Sequence, residues 1–158
     1  MRTVAIPMEQ LAMLLDVQLQ HDGQANLTVT GNSMYPMLRH RQDTVRLRLT
    51  DRAPGNRELI LYRRENGQYV LHRIVRVTGP GQYLCAGDNQ WELEKVRAEQ
   101  VIALVDAFCR KGRHYQVTDL SYRLYVWVWV AMVPVRRPVL AARRLLGKIK
   151  HRILRRSK

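Results

Sequence analysis

Apolar and polar residues alternate along this chain in two different periods. Residues 7–20 place Leu11, Leu14, Leu15 and Gln18 at helical spacing, and Gly23 ends that helix. From there the period drops to two. A short run, Leu27-Thr28-Val29-Thr30, leads into Gly31-Asn32-Ser33-Met34-Tyr35-Pro36. Val45, Leu47 and Leu49 alternate with polar residues over 43–49, which predicts a half-buried strand. Residues 58–63 predict a second apolar strand, and Asn66-Gly67 predicts a tight hairpin joining it to 68–77. Gly79-Pro80-Gly81 turns the chain into 83–86, and 101–108 forms the last clear strand of the body. Short strands separated by Gly, Pro and Asn turns predict a mainly β, α+β fold: an antiparallel sheet or partial barrel with an N-terminal helix.

The pattern changes again after residue 110. Residues 124–135 carry no charge, but twelve residues with Pro134 among them are too few to span a bilayer as a helix. Beyond them, Ala142, Leu145, Leu146, Ile149 and Ile153 share one face of a predicted basic helix. Two readings fit this end equally. It is an interfacial helix with Trp127 and Trp129 as headgroup anchors, or a hairpin that packs on the body and shows a solvated basic face. The chain thus divides into a helical segment at 1–26, a β domain at 27–110, and an apolar segment with a basic amphipathic tail at 111–158.

Charge sharpens that division. The net charge is +14, from 27 Lys/Arg and 13 Asp/Glu. Residues 136–158 hold ten of the cations and no acid, so the rest of the chain holds 17 against 13, a surplus of four. A basic tail suits an anionic surface, lipid before nucleic acid. Cys85 and Cys109 are too few for a disulfide framework and fit no zinc spacing, so the expectation is two buried free thiols, no metal and no cofactor. No apolar run of signal-peptide or membrane length occupies the first twenty residues, which leads us to expect a cytoplasmic protein, with peripheral contact at the inner face of the membrane as an option the basic tail leaves open.

Ser33 sits at a predicted turn just after a strand. Gly31 permits the bend, and Pro36 blocks a helix. On its own the stretch reads as a turn. A serine nucleophile needs a base. Before residue 112 the only lysines are Lys95 and Lys111, and arginine does not deprotonate. The histidines of the body are His21, His40, His72 and His114. His72 alone lies inside an apolar strand, sharing a face with Val70 and Ile74. On its own it reads as a core residue.

Three separated boxes, GNSMYPML, LHRIVRV and GDNQWELE, resemble the type I signal peptidase and SOS-repressor clan of serine peptidases over residues 27–106. The resemblance implies Ser33, in Ser33-Met34-Tyr35-Pro36, as nucleophile. His72-Arg73-Ile74 matches the His-Arg-Ile/Val box of the archaeal and endoplasmic-reticulum-type signal peptidases, which implies His72 as general base. In the third box Asp88 or Glu94, with Glu92 close by, would orient His72, and the choice between the two stays open. The Ser33 N–H is the natural oxyanion donor, and the Asn32 amide a second candidate. The chain departs from the family at Gln42-Asp43 and Arg57-Glu58, where the family has Gly-Asp. It also departs in lacking an N-terminal membrane helix, and its N-terminal segment is short for a repressor's DNA-binding domain.

The implied function is a serine endopeptidase acting on a peptide or protein substrate, such as a leader or signal-like segment. The alternative is a catalytically idle module that docks on membrane or nucleic acid through the basic tail. Self-cleavage is disfavoured, since no Ala-Gly or Cys-Gly pair precedes Ser33.

Overall fold

The computed structural model describes residues 8–49, 51–135 and 138. The predicted basic helix at 142–153 lies outside them. The chain forms an antiparallel, curled half-barrel sheet with two helices. Helix α1 (Met8–Asp22) leads through Gly23, at φ 68°, into β1 (Gln24–Thr28). Strands β2 (Thr44–Arg48), β3 (Leu59–Arg63), β4 (Tyr69–Gly79), β5 (Gln82–Ala86) and β6 (Glu94–Arg97) follow. A 3-10 turn at Ala98–Gln100 precedes β7 (Val101–Arg110) and β8 (Arg113–Gln116). Helix α2 (Leu120–Ala131) ends in a 3-10 turn, Val133–Val135.

The strand order is β1-β2-β7-β3-β4-β5-β6, with β8 paired to β7. Strand β7 is long enough to serve β3 with its first half and β2 and β8 with its second. The predicted Asn66-Gly67 hairpin forms: the Arg64 N–H donates to the Gln68 carbonyl, and Gly67 takes φ 84°.

Both faces of the central strands are covered. In β3, Leu59 and Leu61 join one core with Leu15, Leu19, Met34, Met37, Leu38, Phe108, Tyr122 and Val126. Ile60 and Tyr62 point the other way, into a second core with Val70, Ile74, Tyr83, Cys85 and Val96. Burial on both faces explains why ELILYR reads as a continuous apolar run rather than an alternation.

Three sequence expectations need correction. Helix α1 buries Leu15 and Leu19, one turn apart, while Leu14 faces solvent. The four-residue stripe through Leu15 is the one that meets the sheet. Strands β6 and β8 were not legible, because β6 buries only Val96 and β8 buries no residue. Pairing with β5 and β7 makes them strands, and Tyr115 of β8 stacks on Phe108 at 5.2 Å. Residues 124–131 of the apolar segment belong to a helix that starts earlier, at Leu120, and packs on the body through Tyr122 and Val126. Cys85 is buried and Cys109 half-buried, both as free thiols, and burial pushes the Cys85 thiol up to about 12.

The two departures from Gly-Asp are accommodated differently. Asp43 is fully buried and accepts from the Arg39 main chain (2.8 Å), the Arg39 guanidinium (2.7 and 3.1 Å) and the Lys111 N–H (3.2 Å). Burial pushes its pKa up, yet these bonds hold it below the usual carboxylate range. Arg57 takes φ 72°, a conformation that costs a non-glycine residue about 1 kcal/mol. Its N–H donates to the Ile74 carbonyl at 2.8 Å, which fixes the entry into β3.

Candidate active site

The serine turn is held from several sides. Gly31 bends at φ 83°, and its N–H donates to His40 Nδ1 at 2.7 Å. Met34, Met37 and Leu38 are buried and peg the turn into the core. The Tyr35-Pro36 peptide is cis, and the Pro36 carbonyl accepts from Arg110 at 3.0 Å. Ser33, beside these anchors, remains half-exposed. No hydrogen bond among the described residues engages its N–H, which leaves that donor open to an oxyanion. The Asn32 carbonyl accepts from the Tyr35 N–H and the Asn89 amide, so this turn is fastened through its main chain.

The third box backs Ser33. The Asn89 N–H donates to the Ser33 carbonyl at 2.7 Å. Gly87 lies so close that a Cβ there would fall 2.6 Å from the Ser33 carbonyl oxygen and 2.9 Å from the Ser33 Cβ. Only glycine fits this approach.

Strand β4 carries His72 and Arg73 as neighbours, and alternation sends them to opposite faces. Arg73 enters the first core. Its guanidinium grips Asp88 with two bonds, 2.9 and 2.8 Å, at 1% and 0% side-chain exposure. It also donates to the Arg57 carbonyl (3.1 Å), Tyr122 Oη (3.0 Å) and Met37 Sδ (3.0 Å). Burial alone would lower its pKa, but the Asp88 charge and these bonds hold it above the ordinary value. Tyr125 Oη and Trp129 Nε1 of α2 reach Asp88 as well. Asp88 therefore builds the loop and clamps α2. It is not the hydrogen-bond partner of His72, because it follows Arg73 to the opposite face.

His72 faces the second core, where Tyr62 lies two residues along β3 from its cross-strand partner Ile60. Tyr62 Oη stands 3.2 Å from His72 Nδ1 and donates to Glu94 Oε2 at 2.6 Å. Glu94 reaches this face through pairing with Cys85, itself opposite Ile74. Arg64 holds the same carboxylate at 2.7 and 2.6 Å and keeps its pKa low. The one hydroxyl proton of Tyr62 goes to this carboxylate, so the oxygen accepts from Nδ1–H of His72. That assigns the tautomer and leaves the Nε2 lone pair free. Glu94 thus supports His72 through Tyr62, a residue outside the three sequence boxes. The signal was present: the Asn66-Gly67 register places Tyr62 on the His72 face. Glu92 is exposed and has no bond in this network. Of the other histidines, His21 and His114 are exposed.

Ser33 and His72 line one cavity of about 460 Å³, together with Val29, Asn32, Leu71 and Gln90. Two strand edges border it. Strand β1 is the end of the sheet. Val29 exchanges its main-chain bonds with Asp43 and Arg41, so Thr28 and Thr30 turn theirs outward. Pairing of β4 with β5 begins only at Arg73, which frees the outer edge at Tyr69 and Leu71.

Two predictions arise from this network. Tyr62→Phe removes the acceptor for Nδ1–H, and kcat is expected to fall about tenfold to a hundredfold with KM little changed. Steady-state kinetics on a cleavable peptide measure it; an unchanged kcat would sink the positioning role. Burial lowers the His72 pKa from 6.5 to about 4, with Glu94 and Asp88 opposing and Arg64 assisting. The imidazole is therefore neutral at neutral pH. As pH falls from 6.5 towards 4, the unfolded chain takes the proton first, so His72 stability is full above about 6.5 and lost below. The loss approaches about 3 kcal/mol. Urea midpoints at several pH values should show this slope, flattened in His72→Gln.

Among the described residues no helix is long and apolar enough to cross a membrane, and no group of His, Cys, Asp and Glu could hold a metal. No family model and no curated protein matches the sequence.

Proposed function

We propose that the protein is a serine endopeptidase of the signal-peptidase-like type. The observation that carries this reading is the pairing, in one cavity, of a half-exposed serine on a fixed turn with a neutral histidine whose Nε2 is left free. His72 Nε2 takes the proton as Ser33 Oγ bonds to the substrate carbonyl carbon. The Ser33 N–H receives the oxyanion. Collapse breaks the C–N bond, and the leaving amine takes the proton from His72. His72 then deprotonates water, which attacks the ester, releases the new carboxyl end and restores Ser33. Asp88 has no part in this transfer; Glu94 acts through Tyr62.

The substrate is an extended peptide segment, a leader on a small precursor. Its main chain pairs with Thr28 and Thr30 on one side and with Tyr69 and Leu71 on the other, as an added strand. The half-barrel, with the serine turn at the end of β1 and the histidine on β4, supports the same reading. Co-expression of candidate precursors with the wild type and with Ser33→Ala, read by mass spectrometry, tests it. A shortened precursor with the wild type alone is expected. Identical masses in both would leave the chain a non-catalytic binding module.

A further inference from the structure

Helix α2 has two unlike faces. Tyr122 and Val126 are buried, and Tyr122, Tyr125 and Trp129 reach the Arg73–Asp88 pair. The opposite side carries Leu120, Leu124, Trp127 and Val128, continued by Val135 in the next turn. These positions form one stripe at helical spacing. Their exposures run from 43% at Val128 to 80% at Leu120, with Trp127 at 57%. A helix packed on a protein body ordinarily shows polar residues there, so an apolar stripe of this length marks a contact surface.

The sequence that follows says what it contacts. Residues 136–158 hold ten Lys/Arg and no acid, and the rest of the chain is itself in cationic surplus. The chain offers no acidic excess to complement that charge, and two copies brought together on this face would repel. Duplex nucleic acid would answer the charge but not a leucine and tryptophan stripe. We propose that the outer face of α2, with the basic segment after it, docks on an anionic lipid bilayer. The stripe enters the boundary between headgroups and acyl chains, Trp127 sits at headgroup level, and the cations pair with anionic lipid. Trp129 differs from Trp127: its indole N–H is committed to the Asp88 carbonyl at 3.1 Å, on the protein side. The Asp88 loop backs Ser33, so docking holds the candidate active site close to the membrane surface.

Flotation of the full chain with vesicles tests this. Binding to phosphatidylcholine vesicles containing phosphatidylglycerol is expected, with little binding to phosphatidylcholine alone. The doubly substituted Leu124→Glu, Trp127→Glu protein is expected to bind about tenfold less or weaker still, with an unchanged melting temperature. Ser33→Ala should bind as the wild type does, which separates docking from catalysis. Wild-type binding by the double variant would overturn the role of the stripe. So would an absence of anionic-vesicle binding. A wild-type dimer made monomeric by the double substitution would assign the face to a second copy. A lowered melting temperature with no dimer would assign it to the chain's own end. Either result overturns the proposal.

Discussion

Ser33→Ala and His72→Gln are each expected to lower kcat for peptide cleavage by about four orders of magnitude or more while the fold survives. The magnitude follows from how nucleophile and base act as a unit: loss of either removes the covalent route. The fold should survive because Ser33 is half-exposed and its turn is fastened by main-chain bonds to Asn89 and by buried Met34, not by its hydroxyl. Glutamine keeps a hydrogen-bonding group near Tyr62 Oη and fills most of the imidazole volume. The double variant should be no slower than either single one, the mark of one shared step. The measurements are initial rates on a cleavable peptide beside thermal melts of each variant. Substantial turnover by Ser33→Ala would exclude Ser33 as nucleophile.

Asp88→Ala is expected to act on stability, by about 3–5 kcal/mol, because it leaves the Arg73 guanidinium charged and unpaired in the core. That is a large share of the total for a domain of this size. The carboxylate also receives Tyr125 Oη, and its carbonyl receives Trp129 Nε1, so the seat of α2 should loosen in the same variant. Removing both charges, Arg73→Met with Asp88→Ala, should recover part of the loss, since no buried charge then lacks its partner. Chemical denaturation of the two single variants and the double one measures the coupling. Additive losses would contradict the pairing. An Asp88→Ala protein that melts normally yet has lost cleavage would place Asp88 with His72 after all.

The same two residues show how far the sequence reaches. Alternation along 68–77 put His72 on an apolar face, and the Asn66-Gly67 turn fixed the strand it pairs with; both follow from local rules. The alternation that placed His72 also sends Arg73 to the other face, and so determines where Asp88 goes. Between Asp88 and Glu94 the sequence left the choice open. The decision needs β5 and β6, and β6 has a single buried residue to announce it.

Taken as a whole, the sequence determined the antiparallel β character and the hairpin and turn positions, which rest on period and turn residues, properties of neighbours in the chain. The serine and histidine stand out as chemical candidates only when the three separated boxes are taken together. Tertiary structure decided which residues meet across distance. It placed Gly87 against Ser33, and it gave His72 the hydroxyl of Tyr62 with Glu94 behind it. It committed Asp88 to Arg73 and α2, and it turned Trp127 outward and Trp129 inward. Those pairings join distant segments, 41 residues apart between Trp129 and Asp88 and 54 between Gly87 and Ser33, and only the curl of the sheet brings them together.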